Sequence, residues 1–301
     1  MPPHKSAPTR SRGNSGHADG VRLPPDGGPS ICEFKHSDAT IEWVKRLDDS
    51  DREDTEAFVY QVRIASQNYA LKVFKFSSPK SNSFYWGTKL QKTLPLKEAI
   101  FYTDSFYAEC RAYGRIEDGR VDRDSRSSRI RRETAVKCHG YLLLNDDHKQ
   151  WLLDQGHDLE EEVLDEDVRQ ALEGETRVRA IVKHLDTRPH RLHAGNIARA
   201  WTSVQTLNRS LKIYNMDIKA DNFIGFRLVD FGSSWTEPHA ILSYLDKAHK
   251  STAKDWRSRD TQNFEDMIEE EEISTRLRVV PTSRHNLRKP WAEQELLESR
   301  G

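Results

Sequence analysis

Two short segments in the second half of the chain combine residue types that could act together in catalysis. They read Asp217-Ile218-Lys219-Ala220-Asp221-Asn222 and Asp230-Phe231-Gly232. Carboxylate and amide oxygens are the hard ligands that Mg²⁺ prefers, and a lysine ammonium pairs with phosphate. Phosphoryl transfer needs these types, because its catalysis consists of holding phosphates, placing metal ions and aiming an acceptor hydroxyl. The two segments therefore indicate a site for phosphate and magnesium chemistry.

The same chemistry needs a lysine that pairs with the nucleotide phosphates and a glutamate that positions this lysine. Lys72 lies in a predicted strand, within Ala70-Leu71-Lys72-Val73, and Glu109 lies in a predicted helix. Glu98 is a competing glutamate, but it is nearer the start of that helix. Each of the two assignments is weak alone and depends on the downstream segments.

In order and spacing, these segments resemble the motif set of the protein kinases over residues 41 to about 270. The resemblance implies that Asp217 accepts the proton of an acceptor hydroxyl and that Lys219 neutralises the transferred phosphate. It also implies that Asn222 and Asp230 bind Mg²⁺.

The resemblance further implies that Lys72 pairs with the phosphates of ATP and that Glu109 pairs with Lys72. Lys219 favours the serine/threonine protein kinases, because small-molecule kinases of this fold usually lack a lysine two residues after the aspartate. The implied cofactors are ATP and Mg²⁺.

The sequence departs from the kinase pattern in four places. The loop at residues 48–56 is acidic and has no glycine, so it would repel phosphate instead of approaching it through backbone amides. Asn215-Met216 replaces the His-Arg before the aspartate, which argues against control by a phosphorylated activation segment. Asn222 and Asp230 are unusually close, and no Ala-Pro-Glu motif follows Gly232. The second lobe should therefore be small.

The continuation Ser233-Ser234-Trp235-Thr236-Glu237-Pro238-His239, together with the segments above, resembles a group of fungal kinase-like proteins. These are assigned to the kinetochore Sim4-complex subunit family, and the likeness covers about residues 35–260. It implies protein partners in a kinetochore complex. For Trp235 and His239 we expect packing under the shortened segment and no catalytic role.

Hydrophobic periodicity predicts the elements that position these residues. An antiparallel meander is expected first, with a turn at Asn68, followed by a loop at residues 77–97. The predicted strands are 41–44, 57–64, 69–76, 135–144, 150–154 and 227–230, and the predicted helices are 98–116, 176–185 and 194–211. This order predicts an α+β, bilobal, protein-kinase-like fold, with a small antiparallel sheet and one helix in the first lobe and a reduced, mostly helical second lobe.

Composition predicts the domain limits. Residues 1–35 are rich in Pro, Gly, Ser and Arg and are predicted to be a disordered leader. We predict the first lobe at 36–155, the second at 156–270 and a charged tail at 271–301. A net charge of −1 argues against direct nucleic-acid binding, and the arginine-rich stretch 123–132 is interpreted as a solvated loop.

Three cysteines without a Cys-x-x-Cys pair indicate a reducing compartment, nucleus or cytoplasm. No apolar run is long enough for a membrane span, and the N-terminus lacks the apolar core of a signal peptide. We therefore expect a soluble intracellular protein.

Three hypotheses remain at this stage. The chain is an active Ser/Thr kinase, a pseudokinase interaction module in a kinetochore assembly, or a small-molecule phosphotransferase.

Overall fold

The computed structural model describes residues 21–48, 55–77, 79, 92–121, 133–187 and 191–279. Most of the predicted acidic loop (49–54), nearly all of the predicted loop after residue 77, the arginine-rich stretch 123–132 and the tail beyond residue 279 lie outside these residues.

Five antiparallel strands form the sheet of the first lobe, in the order β3-β4-β5-β7-β6. Alternate residues of β4, Phe58, Tyr60, Val62 and Ile64, are buried, as their period of two predicts. The strands are β3 Ile41–Arg46, β4 Ala57–Ile64, β5 Gln67–Phe74, β6 Cys138–Leu144 and β7 Val178–His184.

The turn between β4 and β5 lies at Ala65 and Ser66, which both have positive φ angles of 48° and 65°. Two-residue turns of this kind match the twist of a β-hairpin. The predicted turn at Asn68 is wrong, because Asn68 pairs with Arg63 inside the ladder.

Strand β7 corrects the helix predicted at residues 176–185. Six of its seven residues are buried, so the strand lacks the alternation that would have revealed it. Two of the buried residues are the cations Arg179 and Lys183. The boundary between the lobes therefore falls after His184 and not at residue 155.

The helix predicted at 98–116 is two helices, α1 Leu96–Thr103 and α2 Ser105–Val121. Asp104 separates them with an extended backbone (ψ 129°). Its Oδ1 accepts the backbone N–H of Phe106 at 3.0 Å and of Tyr107 at 3.4 Å, which caps α2. Asp104 also forms a buried ion pair with Arg179 of β7 at 2.9 Å, which ties α2 to the sheet.

The strand predicted at 150–154 is wrong, because these residues belong to helix α3, Asp146–Asp154. Asn145 caps this helix by accepting the N–H of His148 at 3.0 Å. The apolar run Trp151-Leu152-Leu153 favoured a strand, so the helix that begins after Asn145 was not predicted. A 3₁₀ turn at Glu161–Val163 and α4 Glu166–Ala171 lead into β7, so the first lobe has more than the one helix predicted.

The second lobe is small and mostly helical, as predicted. The helix predicted at 194–211 is α5 followed by a π-helical turn. Two antiparallel pairs of two-residue strands lie in this lobe, the hairpin β9–β10 and the more distant pair β8–β11. Its elements are α5 Ile197–Thr206, the π turn Leu207–Leu211, β8 Ile213–Tyr214, a 3₁₀ turn Ala220–Asn222, β9 Phe223–Ile224, β10 Arg227–Leu228, β11 Trp235–Thr236, α6 Ala240–Ala248 and α7 Lys250–Glu270.

The disordered leader predicted over residues 1–35 is contradicted for its last part. Strands β1 Arg22–Leu23 and β2 Ile31–Cys32 pair as a hairpin against α2 and β6. Ile31 and Phe34 are each 1% exposed, and the N–H of Phe34 donates to Tyr141 O at 2.8 Å. The Pro- and Gly-rich composition concealed this short apolar run.

The predicted α+β, bilobal, kinase-like architecture is confirmed by the order of the elements and by the sheet. Among the described residues, every helix is too short or too polar to cross a membrane.

Candidate functional site

Lys72 lies at the centre of the site and connects the two lobes. It stands on β5, opposite Ile181 of β7. Its Nζ lies 2.9 Å from Glu109 Oε2 on α2 and 2.6 Å from Asp230 Oδ1 in the second lobe. Lys72 is 5% exposed and Glu109 is fully buried. Buried charges are stable when they are paired in this way.

Lys72 and Asp230 stabilise each other's ionised forms. Burial alone would lower the pKa of Lys72, but Asp230 and Glu109 outweigh burial and hold that pKa above its usual value. Burial alone would raise the pKa of Asp230, but Lys72 and Lys183 outweigh it and hold that pKa well below its usual range. Both groups are therefore ionised at neutral pH.

Asp217 lies on the loop between β8 and β9, with its side chain 41% exposed. Its Oδ2 lies 2.7 Å from Lys219 Nζ and accepts a hydrogen bond from Asn222 Nδ2 at 3.1 Å. Asn222 Nδ2 also donates to the Asp217 carbonyl at 2.7 Å, because the 3₁₀ turn brings Asn222 back beneath Asp217. The loop thus fixes an aspartate while leaving it accessible.

The residues predicted to bind magnesium have oxygen atoms to offer. The amide nitrogen of Asn222 is committed to Asp217, which leaves Oδ1 as its acceptor. Lys72 and the N–H of Gly232 both contact Oδ1 of Asp230, which leaves Oδ2. Mg²⁺ is commonly held by one or two protein oxygens together with phosphate oxygens. In the described part of the chain, no group of three or more His, Cys, Asp or Glu is arranged for a metal. The donor set therefore fits a magnesium ion bound together with phosphates.

The structure places the six predicted site residues in two groups, Lys72 with Glu109 and Asp230, and Asp217 with Lys219 and Asn222. It also adds Lys183, which the sequence analysis missed. Lys183 Nζ forms an ion pair with Glu109 Oε1 and donates to the carbonyl of Val229 at 2.7 Å. A lysine directly after the apolar run Ala180-Ile181-Val182 was the sequence feature that could have indicated a buried role for Lys183.

Asp260 of α7 is a second residue that was missed. It is 1% exposed, and its two oxygens accept the backbone N–H of Asn215 at 2.7 Å and of Met216 at 2.8 Å. Burial raises the pKa of Asp260 to about 6, and these backbone hydrogen bonds oppose the rise. Asp260 holds the start of the loop that carries Asp217.

Asn215 connects that loop to Asp230, the aspartate predicted to bind magnesium. Its Nδ2 donates to the carbonyl of Asp230 at 2.7 Å, and its Oδ1 accepts the N–H of Asp217 at 3.2 Å. This residue, which departs from the kinase pattern, thus orients both aspartates.

Glu56, at the end of the predicted acidic loop, reaches into the site. Its carboxylate accepts a hydrogen bond from Ser105 Oγ at the start of α2. Burial raises the pKa of Glu56, whereas Ser105 and Lys72 lower it. A carboxyl group from this loop therefore lies near Lys72 and Asp230.

The segment after Gly232 packs against α2. Ser234 Oγ donates to the carbonyl of Ala108 at 3.4 Å, and Arg115 donates to the carbonyl of Glu237. Trp235 and His239 stack with centroids 5.0 Å apart, which agrees with the packing role expected for both. The segment therefore supports the helix that carries Glu109.

Comparison with known proteins now identifies the family. The sequence profile of the family described as kinetochore Sim4 complex subunit FTA2 matches residues 20–235. The chain belongs to this family. The start of the match agrees with the observed start of the hairpin β1–β2 and not with the predicted leader boundary at residue 35.

Among solved structures, that of vaccinia related kinase 3 is similar, with 12% sequence identity and a TM-score of 0.32. The match covers 69% of this chain and 52% of that chain, so this protein spans about half the length of that structure. No curated protein sequence matches this chain significantly.

Proposed function

We propose that this protein binds Mg-ATP in the cleft between its lobes and transfers the γ-phosphate to a Ser/Thr hydroxyl of a partner in a kinetochore complex. The observation that carries the proposal is the position of Lys72, which lies within hydrogen-bonding distance of both Glu109 and Asp230. A lysine paired with a helix glutamate and facing the metal-binding aspartate is the arrangement that phosphoryl transfer requires.

Each residue has a role that its contacts support. Lys72 would hold phosphate oxygens, and Glu109 keeps its ammonium in place. Asn222 Oδ1 and Asp230 would hold magnesium. Asp217 would orient the acceptor hydroxyl and accept its proton, while Lys219 offsets negative charge beside it. When bound, Mg-ATP supplies the phosphoryl group and a metal charge that offsets the negative charge of the phosphates.

Membership of the family supports protein partners in a kinetochore complex and, through them, a location in the nucleus. The partner would carry the acceptor hydroxyl.

A pseudokinase interaction module is the second candidate, and Glu56 favours it. Its carboxyl lies near Lys72 and Asp230, where phosphate oxygens would also have to lie. The Glu56 carboxylate and a bound phosphate would repel each other strongly in a partly buried site.

Thermal unfolding with and without Mg-ATP distinguishes the two candidates. Nucleotide at a hundredfold excess over Kd should stabilise the protein by about 2.7 kcal/mol and raise Tm by roughly 5–10 °C. Asp230→Asn should reduce the shift, because the metal loses a carboxylate ligand. No shift at millimolar Mg-ATP would exclude the phosphotransferase proposal.

Asp217→Asn separates binding from chemistry. The amide has nearly the same shape but cannot accept the proton, so transfer of labelled phosphate should fall by at least about 10²-fold. The thermal shift with Mg-ATP should persist. Asp255→Asn is the matched control, since Asp255 is exposed on α7. Equal transfer by both variants would show that Asp217 is not the base.

A further inference from the structure

A cavity of about 300 Å³ opens beside Asp217. Its walls include Tyr102 of α1, Trp235 after the Asp230 motif, and Trp256 and Arg259 of α7. Because the segment after Gly232 is short, no long activation segment separates α1 and α2 from α7 here. Asp217 lines the cavity, so a side chain that enters the cavity can reach Asp217.

The aromatic rings beside the cavity form a stack that ends at a guanidinium group. His239 packs edge-on against Tyr102 at 4.9 Å and stacks on Trp235 at 5.0 Å. Trp235 stacks on Trp256 at 4.9 Å, and the Arg259 guanidinium carbon lies 4.8 Å from the Trp256 ring. Both faces of Trp235 are therefore occupied within the protein, which argues against a cage for a cationic ligand.

Arg259 has unused hydrogen-bonding capacity at this position. It is exposed, and among the described residues no carboxylate forms an ion pair with it. Arg257, two residues earlier, is by contrast saturated by Asp246 at 2.6 and 2.7 Å and by Glu237 at 2.9 Å. A guanidinium has five N–H donors, so Arg259 can bind an anion through two parallel hydrogen bonds.

Both carboxyl groups that line the cavity already have hydrogen-bonding or charged partners of their own. Asp217 is paired with Lys219 at 2.7 Å. The Glu56 carboxylate accepts a hydrogen bond from Ser105 Oγ. Among the described residues that line the cavity, Arg259 is the charged side chain without an ion pair, although it lies close enough to the buried Asp260 to lower the pKa of that carboxyl group.

We infer that Arg259 binds an anionic side chain, carboxylate or phosphate, next to the serine or threonine that enters beside Asp217. The preferred acceptor is then an acidic segment of a partner protein. This inference rests on the proposed function, because it assigns the acceptor side of the same site. Arg259 is a specificity-determining residue and takes no part in the chemical step.

Equilibrium binding of fluorescein-labelled synthetic peptides, followed by anisotropy, tests the inference without requiring phosphate transfer. One serine is flanked on both sides by aspartate, alanine, lysine or phosphoserine. The full-length protein should bind the aspartate peptide at least about tenfold more tightly than the alanine peptide. Arg259→Ala should remove this difference, and Arg259→Glu should reverse it in favour of the lysine peptide. Lys254→Ala, which removes an exposed charge from the same helix outside the cavity, should leave it unchanged.

The reversal by Arg259→Glu separates recognition from a structural role, because a distorted cavity would lose all peptides without a change of preference. The inference is wrong if the protein does not distinguish aspartate from alanine, or if Arg259→Ala weakens all peptides equally. The tighter of the aspartate and phosphoserine peptides identifies the anion as carboxylate or phosphate. Arg259-dependent binding without transfer from Mg-ATP would support the inference while excluding phosphotransfer. Phosphate transfer that is equal in the wild type and in Arg259→Ala would support phosphotransfer and contradict the inference.

Discussion

Met216, directly before the candidate catalytic aspartate, has a left-handed backbone with φ of 67°. Such a conformation costs on the order of 1–3 kcal/mol for a residue other than glycine. Asp260 compensates by accepting the N–H groups of Asn215 and Met216. Strain at one residue is thus held by a buried carboxyl group from a helix that begins more than thirty residues later in the chain.

Asp260 should make stability depend on pH. The pKa of this carboxyl rises from an ordinary 3.8 to about 6 in the folded protein. Between these values the folded state holds a proton that the unfolded state has lost, so stability falls as pH rises. Asp260→Asn has no such proton. From pH 4 to 7, the free energy of unfolding of the wild type should fall relative to Asp260→Asn by roughly 2.4 kcal/mol, measured by chemical denaturation.

The comparison is made as a difference between the two proteins, so that the other titrating groups cancel. Asp255→Asn, an exposed aspartate on the same helix, should give a difference that is nearly constant with pH. A constant difference for Asp260→Asn, or a slope of opposite sign, would contradict the assignment.

Spacing within two short segments suggested Asp217, Lys219, Asn222 and Asp230 as candidate site residues, and these in turn suggested Lys72 and Glu109. Lys183 and Asp260 escaped prediction for a physical reason. Their partners, Glu109 and the loop at Asn215, come from elements far away in the sequence, and no local pattern records such a contact.

At the scale of elements, Gly114 on α2 permits the close approach of the N-terminal hairpin. A Cβ atom at this position would lie 2.3 Å from the backbone nitrogen of Ser30 and 2.6 Å from its oxygen. Backbone atoms cannot give way without displacement of the hairpin. Arg111 of the same helix, 1% exposed, forms an ion pair with Asp26 of the hairpin.

Gly114→Ala should therefore destabilise the protein. Glycine to alanine in a helix ordinarily gains up to about 1 kcal/mol. Here the overpacking should outweigh that gain and leave a net loss of about 1–3 kcal/mol in the free energy of unfolding. Asp118→Ala, an exposed change on the same helix, serves as the control in the same denaturation experiment. A stabilised Gly114→Ala protein would show that the hairpin does not pack on α2 as described.

The predictability of the elements follows from their burial. Strands with one solvent-facing side, such as β4, can be predicted from the alternation of their buried and more exposed residues. Strand β7 is covered on both faces, and the arginine and lysine it buries are neutralised by Asp104 and Glu109. The charged residues of β7 are therefore buried, although their type is typical of exposed positions, and the helix predicted there was wrong.

At the scale of the molecule, the folded unit includes the hairpin that composition assigned to a leader. A chain that begins at residue 36 loses Ile31 and Phe34, each worth roughly 1.5–3 kcal/mol of burial. It also leaves Arg111 without Asp26. Compared with a chain that begins at residue 20, it should be less stable by at least about 4 kcal/mol in chemical denaturation. Equal stability of the two chains would restore the boundary at residue 35.

The stacked rings of Trp235 and Trp256 have an optical consequence. Two indoles whose centroids are 4.9 Å apart and whose planes differ by 29° couple their electronic transitions. Circular dichroism of the unlabelled protein should then carry a paired band from this contact. One of the rings lies on the segment after Asp230 and the other on α7, so the band reports the separation of these two elements directly. The protein therefore contains an intrinsic spectroscopic probe beside the cavity at Asp217.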